Sequence, residues 1–320
     1  MDLHLLVDNL TNPALLFFFL GIIAVQLKSD LEIPPNSSKF ISLYLLLSIG
    51  FKGGQELSHS DLNLEILWSL LFGILLAVVV PIYSYYILRR KFSVANAGAI
   101  AAAYGSVSAV TFVTAISFLE IEQITFGGHM VAVMALMEAP SIIVGLLLIS
   151  IYDKDNPVKI SMGKVAKHAL TNGSVLLILG SLVVGFLASE EQAQGIKPFT
   201  TDLFKGFLAV FLLDMGITSG KKLGAFLKKG WFALVFAIVV PIINGIAVAF
   251  ISSTFTESVG NRLLFAILAA SASYIAVPAA MRLAVPKANP SLYLPMALAI
   301  TFPFNITLGM PLYLCVIQMC

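Results

Sequence analysis

Two short stretches place small and hydroxyl-bearing residues where apolar helices are expected. One is Gly105-Ser106-Val107-Ser108, with Thr111 one turn further on; the other is Ser271-Ala272-Ser273-Tyr274-Ile275, followed by Pro278. Proline lacks an N–H and interrupts a helix. A helix interrupted inside a bilayer frees main-chain N–H groups and exposes the positive end of a helix dipole. Such an end holds an anion without a basic side chain. The expected lining of that anion site is Gly105, Ser106, Val107, Ser108, Ser273, Tyr274 and Ile275, with main-chain N–H groups and the hydroxyls of Ser106, Ser108 and Ser273 as donors. The competing reading is packing alone, since Gly, Ala and Ser also let membrane helices approach closely.

Two carboxylates fall inside apolar runs: Glu138 in MALMEAPSII, just before Pro140, and Asp214 in FLLDMGI. An intramembrane carboxylate is costly and marks an ion or proton site by default. Glu138, with Thr111 and Asn305 supplying oxygen ligands, is the expected site for Na⁺ or H⁺. Asp214 reads equally well as a helix cap or a partner for a nearby lysine, and Asn305 and Thr307 as caps of a kink after Pro303. His129, at the start of its apolar run, is expected at the membrane surface. No phosphate-binding loop, metal-ligand spacing or serine-hydrolase elbow is present, and no nucleophile sits beside a base, so neither an enzyme nor a resident cofactor is expected. Cys315 and Cys320 match neither a zinc pattern nor a disulfide framework.

The elements that must hold these residues follow from composition. Of the 320 residues, 59% are hydrophobic and 11% charged, against about 25% charged in soluble domains. So few charges cannot cover a soluble protein of this size, whereas a lipid-facing surface is apolar by necessity. The net charge of +2 argues against a nucleic-acid partner. Ten apolar runs, near 12–28, 38–56, 63–88, 93–118, 126–152, 172–189, 200–220, 230–255, 261–284 and 291–318, are each compatible with a span. The residues before the first run lack the basic start of a secretory signal, so that run reads as a retained span. If all ten cross, 15 of the 19 Lys and Arg fall on one side. By the positive-inside rule that side is cytoplasmic, and both termini face outward across the cell membrane.

The halves on either side of the polar segment 153–171 resemble each other. LLLSIGFKGGQEL (45–57) aligns with FLLDMGITSGKKL (211–223), the VVPI at Pro81 with that at Pro241, AAAYGSVSAVTF (101–112) with LAASASYIAVPA (268–279), and Pro140 with Pro303. The offsets all lie between 160 and 167 residues. The expected fold is therefore all-α and polytopic: a five-span repeat over 1–152, a cytoplasmic linker at 153–171, and a second repeat over 172–320. An odd number of spans per repeat inverts the second copy, an arrangement common in secondary transporters. Spans 4 and 9 are expected to be discontinuous.

LLLSIGFKGG (45–54), GSVSAVT (105–111), MEAP (137–140) and especially RLAVPKANPSLY (282–293) resemble the sodium-dependent bicarbonate transporter family, of which the chain looks like a divergent member. The resemblance implies a scaffold or gate domain of spans 1, 2, 6 and 7 and a mobile core of spans 3–5 and 8–10. It implies bicarbonate as cargo, Na⁺ as coupling ion, trimers, and inhibition by a PII-like regulatory protein. Gly105, Ser108 and Ser273 match the family's small and hydroxyl positions. Tyr274 stands where the family carries Asp, Ala276 and Val277 where it carries Ser-Gly, and Glu138 where it carries Asp. Two other readings stand beside Na⁺-coupled bicarbonate uptake: a carrier of a small organic anion or a proton-coupled one on the same fold, and a membrane sensor or scaffold that transports nothing.

Overall fold

The computed structural model describes residues 3–59, 63–153, 167, 171–226 and 230–319, and among them no strand occurs. The helices are α1 (Leu3–Leu10), α2 (Pro13–Gln26), α3 (Pro35–Ser58), α4 (Leu64–Leu88), α5 (Val94–Gly105), α6 (Ala109–Ile121), α7 (His129–Tyr152), α8 (Gly173–Leu187), α9 (Glu190–Lys197), α10 (Phe204–Phe226), α11 (Trp231–Ile251), α12 (Val259–Ala270), α13 (Ala276–Ala284) and α14 (Pro290–Gln318). Every one of the ten expected segments holds helix. Six stretches are long and apolar enough to cross a membrane: Leu64–Leu88, Val94–Ile121, His129–Tyr152, Glu190–Gly224, Trp231–Thr254 and Pro290–Gln318. Pro13–Gln26, Gly173–Leu187 and Val259–Ala270 are apolar but shorter.

Most helices start on a side-chain cap, which satisfies one of the N–H groups a helix start leaves free. Asn12 accepts from Ala14 at 2.9 Å, Asn63 from Ile66 at 3.1 Å and Asn172 from Ser174 at 3.0 Å. Two short helices lie outside the expected spans. In α9, Ser189 and Gln192 form a reciprocal capping box. In α1, Asn9 donates to the carbonyls of Ile306 and Thr307 at 3.0 and 2.9 Å. Those carbonyls sit in a wide π-type turn, Asn305–Gly309. Pro311 has no N–H to give the Thr307 carbonyl, and Asn9 supplies it instead.

Burial sorts the helices into a centre and a rim. Along α4 the exposed large residues Leu67, Leu71, Leu75, Val79, Ile82 and Tyr86 follow helical spacing, a stripe suited to lipid. Ala97 to Gly105 in α5 and Leu263 to Ala270 in α12 are buried on every side. Helices apolar all round belong at a centre, and these two lead directly into the Ser-rich breaks.

Around that centre, α3 packs on α8 and α10 on α2, while α4, α5 and α7 form one cluster and α11, α12 and α14 another. The sequence-matched glycines do the same work in both pairs. A Cβ at Gly50 would lie 2.7 Å from the Ser181 Cβ, and one at Gly54 would strike the Leu182 carbonyl. On α10, a Cβ at Gly216 would strike the Phe18 carbonyl, and one at Gly220 would lie 3.1 Å from the Val25 Cβ. Contacts between helix ends also keep to two groups. At one end Asn289 N–H donates to Asn96 at 2.8 Å, Phe92 meets Phe232 at 5.8 Å, and Arg89 lies over Tyr152 at 4.2 Å. At the other, His59 meets Glu190 at 3.2 Å, Lys52 meets Glu120 at 2.7 Å, and Gly127 donates to Asn261 at 2.7 Å.

Candidate functional site

Both expected breaks are present. Residues 106–108 separate α5 from α6, and residues 271–275 separate α12 from α13. The second break lies upstream of Pro278, which occupies the first turn of α13, where a missing N–H costs nothing. The first break contains no proline.

A bilayer core offers no water to unpaired backbone groups, so each break persists only because side chains and the other break complete it. Ser141 Oγ donates to the Ala102 carbonyl at 2.8 Å. Asn244 donates to the Ala269 carbonyl at 3.0 Å and Asn305 to the Ala270 carbonyl at 2.8 Å. Between the breaks, Ser273 N–H donates to the Ala103 carbonyl at 2.8 Å, and Ser108 N–H donates to Ser271 Oγ at 3.1 Å. The two breaks thus meet, at a junction called the crossing, and tie the interrupted helices to each other. Ser271→Ala strands the Ser108 N–H, a buried donor whose desolvation costs about 1–3 kcal/mol. Its thermal unfolding in detergent is expected at a lower temperature than wild type, and an unchanged midpoint would show that the tie carries no load.

A cavity of about 40 Å³ lies at the crossing. Val107, Ser108, Ser273, Tyr274 and Ile275 line it, together with Glu138 from α7. The starts of α6 and α13 face it through Ala109, Val110 and Ala276, and the first N–H groups of a helix have no helical partner. The lining contains no Lys, Arg or His. Ser108 Oγ accepts from Thr111 N–H at 3.1 Å, and Ser273 Oγ from Val277 N–H at 3.4 Å. Each hydroxyl therefore takes one first-turn N–H of its half-helix and keeps its own hydrogen to donate. The Tyr274 hydroxyl is buried beside Ser108 without a fully formed hydrogen bond, and its ring packs on Phe302 at 6.1 Å.

Four expected site residues stand outside this lining. Gly105 packs against Pro81 and Ser141, and a Cβ there would lie 2.5 Å from Ser141 Oγ. Ser106 and Thr111 are buried, and their hydroxyls have no partner. Asn305 is committed to the Ala270 carbonyl, and Tyr313 donates to its side-chain oxygen at 3.4 Å. His129 stands at the start of α7 and is packed inside the protein.

Sequence reasoning missed the opposite wall, which α3, α8 and α10 supply through Ser42, Ser174, Ile178 and Phe211. It also missed the break partners Ser141 and Asn244. Ser141 and Asn244 each follow a mid-helix proline within three residues, a signal that could have found them. Beyond Tyr274 and Ile275 the cavity adjoins a vestibule of about 580 Å³, lined by Lys39, Lys221, Glu32 and Asp214 among others. Ser38 Oγ donates to the Asp214 carboxylate.

Apolar rims, fully buried central half-helices and mutually completed breaks define a multi-pass α-helical membrane protein. The chain belongs to the Na⁺-dependent bicarbonate transporter superfamily, whose sequence model matches residues 13–318. A comparison with curated proteins returns no match.

Proposed function

We propose that this protein is a secondary transporter that takes up bicarbonate together with Na⁺ by alternating access. The observation that carries the reading is the convergence of two half-helix starts and one carboxylate on a single small cavity. The helix starts suit an anion. The accessible space of about 40 Å³ suits a small inorganic ion better than a larger organic anion, since a single water needs roughly 10–15 Å³ of such space. Glu138 would hold the coupling cation, with oxygens near the crossing completing its shell.

The ten-span, inverted five-plus-five topology belongs to the same proposal. It is supported by the charge asymmetry of the connections, the two groups of end contacts and the paired use of glycines. In it, α2, α3, α8 and α10 form the scaffold, and the remaining long helices form the core that moves. Both termini lie outside the cell membrane, and the vestibule opens to the cytoplasm. Assembly into a homo-oligomer, a trimer by family resemblance, and control by a PII-like protein are further parts of it. The linker at 153–171, where such a regulator would dock, lies outside the described residues apart from 153, 167 and 171.

Uptake of labelled bicarbonate into proteoliposomes, with and without a Na⁺ gradient and in competition with small carboxylates, tests the reading. Na⁺-stimulated bicarbonate uptake is expected. Ser108→Ala and Ser273→Ala are each expected to lower it about ten-fold, as loss of a charge-assisted hydrogen bond does. Full activity in both variants sinks the site. Uptake of carboxylates instead, or a proton gradient as driver, moves the reading to the organic-anion or proton-coupled carrier, and the absence of any flux moves it to a sensor or scaffold.

A further inference from the structure

We infer that Lys52, Glu120 and Lys205 form a latch that holds the outer face of the transport path closed. This rests on the transporter reading but concerns a device that reading does not contain. Lys52 Nζ lies 2.7 Å from Glu120 Oε1, and Lys205 Nζ lies 3.8 Å from Glu120 Oε2. Lys52 also lies over the Phe204 ring at 5.7 Å. The lysines sit on α3 and α10, which pack on α8 and α2; Glu120 sits near the end of α6, which packs on α12. One carboxylate therefore joins two scaffold helices to the core helix that starts at the crossing.

Two cavities flank a closed layer. Leu45, Leu46, Val113, Met134 and Ala135 line the chamber at the crossing. Ile49, Ile116 and Val131, about one turn further along the same three helices, line a separate pocket of about 320 Å³. Ile49, Ile116 and Val131 are 2%, 3% and 1% exposed, and the two cavities share no lining residue. Lys52 and Glu120, the next turn out, line that same pocket. At the opposite end the chamber and the vestibule share Ser42, Ser174, Phe211, Tyr274 and Ile275. The path is thus continuous toward one face. Toward the other, an apolar layer with an ion-paired clasp closes it. For the core to slide and open that side, α6 must leave α3 and α10, and both ion pairs must break.

Cysteine labelling tests the latch without reference to cargo. In a Cys315→Ser, Cys320→Ser background, Ile49→Cys reports on the closed layer and Thr218→Cys on the vestibule. With a maleimide applied to the purified protein in detergent, where both faces are reachable, position 49 is expected to label slowly and position 218 quickly. Glu120→Gln is expected to speed labelling at 49 about five-fold, the scale of a partly exposed ion pair, and to slow it at 218. Lys52→Gln with Lys205→Gln is expected to do the same, and combining all three substitutions to add nothing, as for residues acting as one unit. Unchanged labelling at 49 in a Glu120→Gln protein that elutes as a single folded species overturns the latch, as do additive effects. Absence of bicarbonate uptake by the wild-type protein together with the expected labelling pattern would overturn the cargo assignment and leave the latch standing.

Discussion

Glu138→Gln is expected to abolish the Na⁺ stimulation of uptake while leaving the protein folded. The chamber lining holds one carboxylate and no basic side chain, and among the described residues no hydrogen bond or ion pair reaches Glu138. A carboxylate and an arriving anion in the same low-dielectric space repel, and a cation between them removes that penalty. Intramembrane charge costs about 2.5–3.5 kcal/mol on insertion scales, which corresponds to a stimulation on the order of 100-fold. A neutral amide has no need of the cation, so flux in the variant should run downhill only and ignore Na⁺. Glu138→Asp should keep part of the stimulation. Initial rates against Na⁺ concentration decide the matter: a Glu138→Gln protein with wild-type Na⁺ dependence would remove Glu138 from the coupling site.

The second large effect concerns the packing of α10 on α2. Gly216→Leu is expected to prevent α10 from seating on α2, because the first added atom meets the Phe18 carbonyl. Overpacking a side-chain contact costs about 1–3 kcal/mol, and here the obstacle is backbone, which cannot change rotamer. Gly206, on the same helix, has nothing within 4 Å of its Cβ direction. Gly206→Leu is therefore the matched control and should purify like wild type. The comparison is read from the monodisperse yield and melting temperature of the two variants in detergent. Equal behaviour of the pair would show that the close approach at Gly216 does not hold the scaffold together.

Helix positions were legible because a lipid solvent forces long apolar runs and because lysines and arginines mark connection ends. The crossing was legible from Gly105–Ser108 and Ser271–Ile275, since small hydroxyl residues recur there in both halves. Its division of labour was not. Ser106 and Ser108 are two residues apart, yet only Ser108 reaches the chamber; Ser106 closes α5 and Ser108 opens α6, and sequence spacing does not foretell how the two half-helices are set against each other. Asn305 has the chemistry of an ion ligand, but its ties to the Ala270 carbonyl and to Tyr313 run to other helices and to a later turn, which its own sequence neighbourhood does not announce. Pro278 pointed to the correct segment and the wrong residue, because proline tolerates a helix's first turn. The scaffold wall, Ser42 and Ser174 included, depends on which helix faces which, and periodicity within one helix carries no such information.

The ties between the two breaks also bear on how the chain is made. Ribosomes deliver the first half with the Ala103 carbonyl and the Ser108 N–H already committed to the bilayer. Their partners, Ser273 and Ser271, emerge about 10–30 s later at ordinary rates of synthesis. Through that interval the nascent half must keep two polar backbone groups in a setting that penalises them. Completing the second half is thus the step that releases the first from dependence on the insertion machinery.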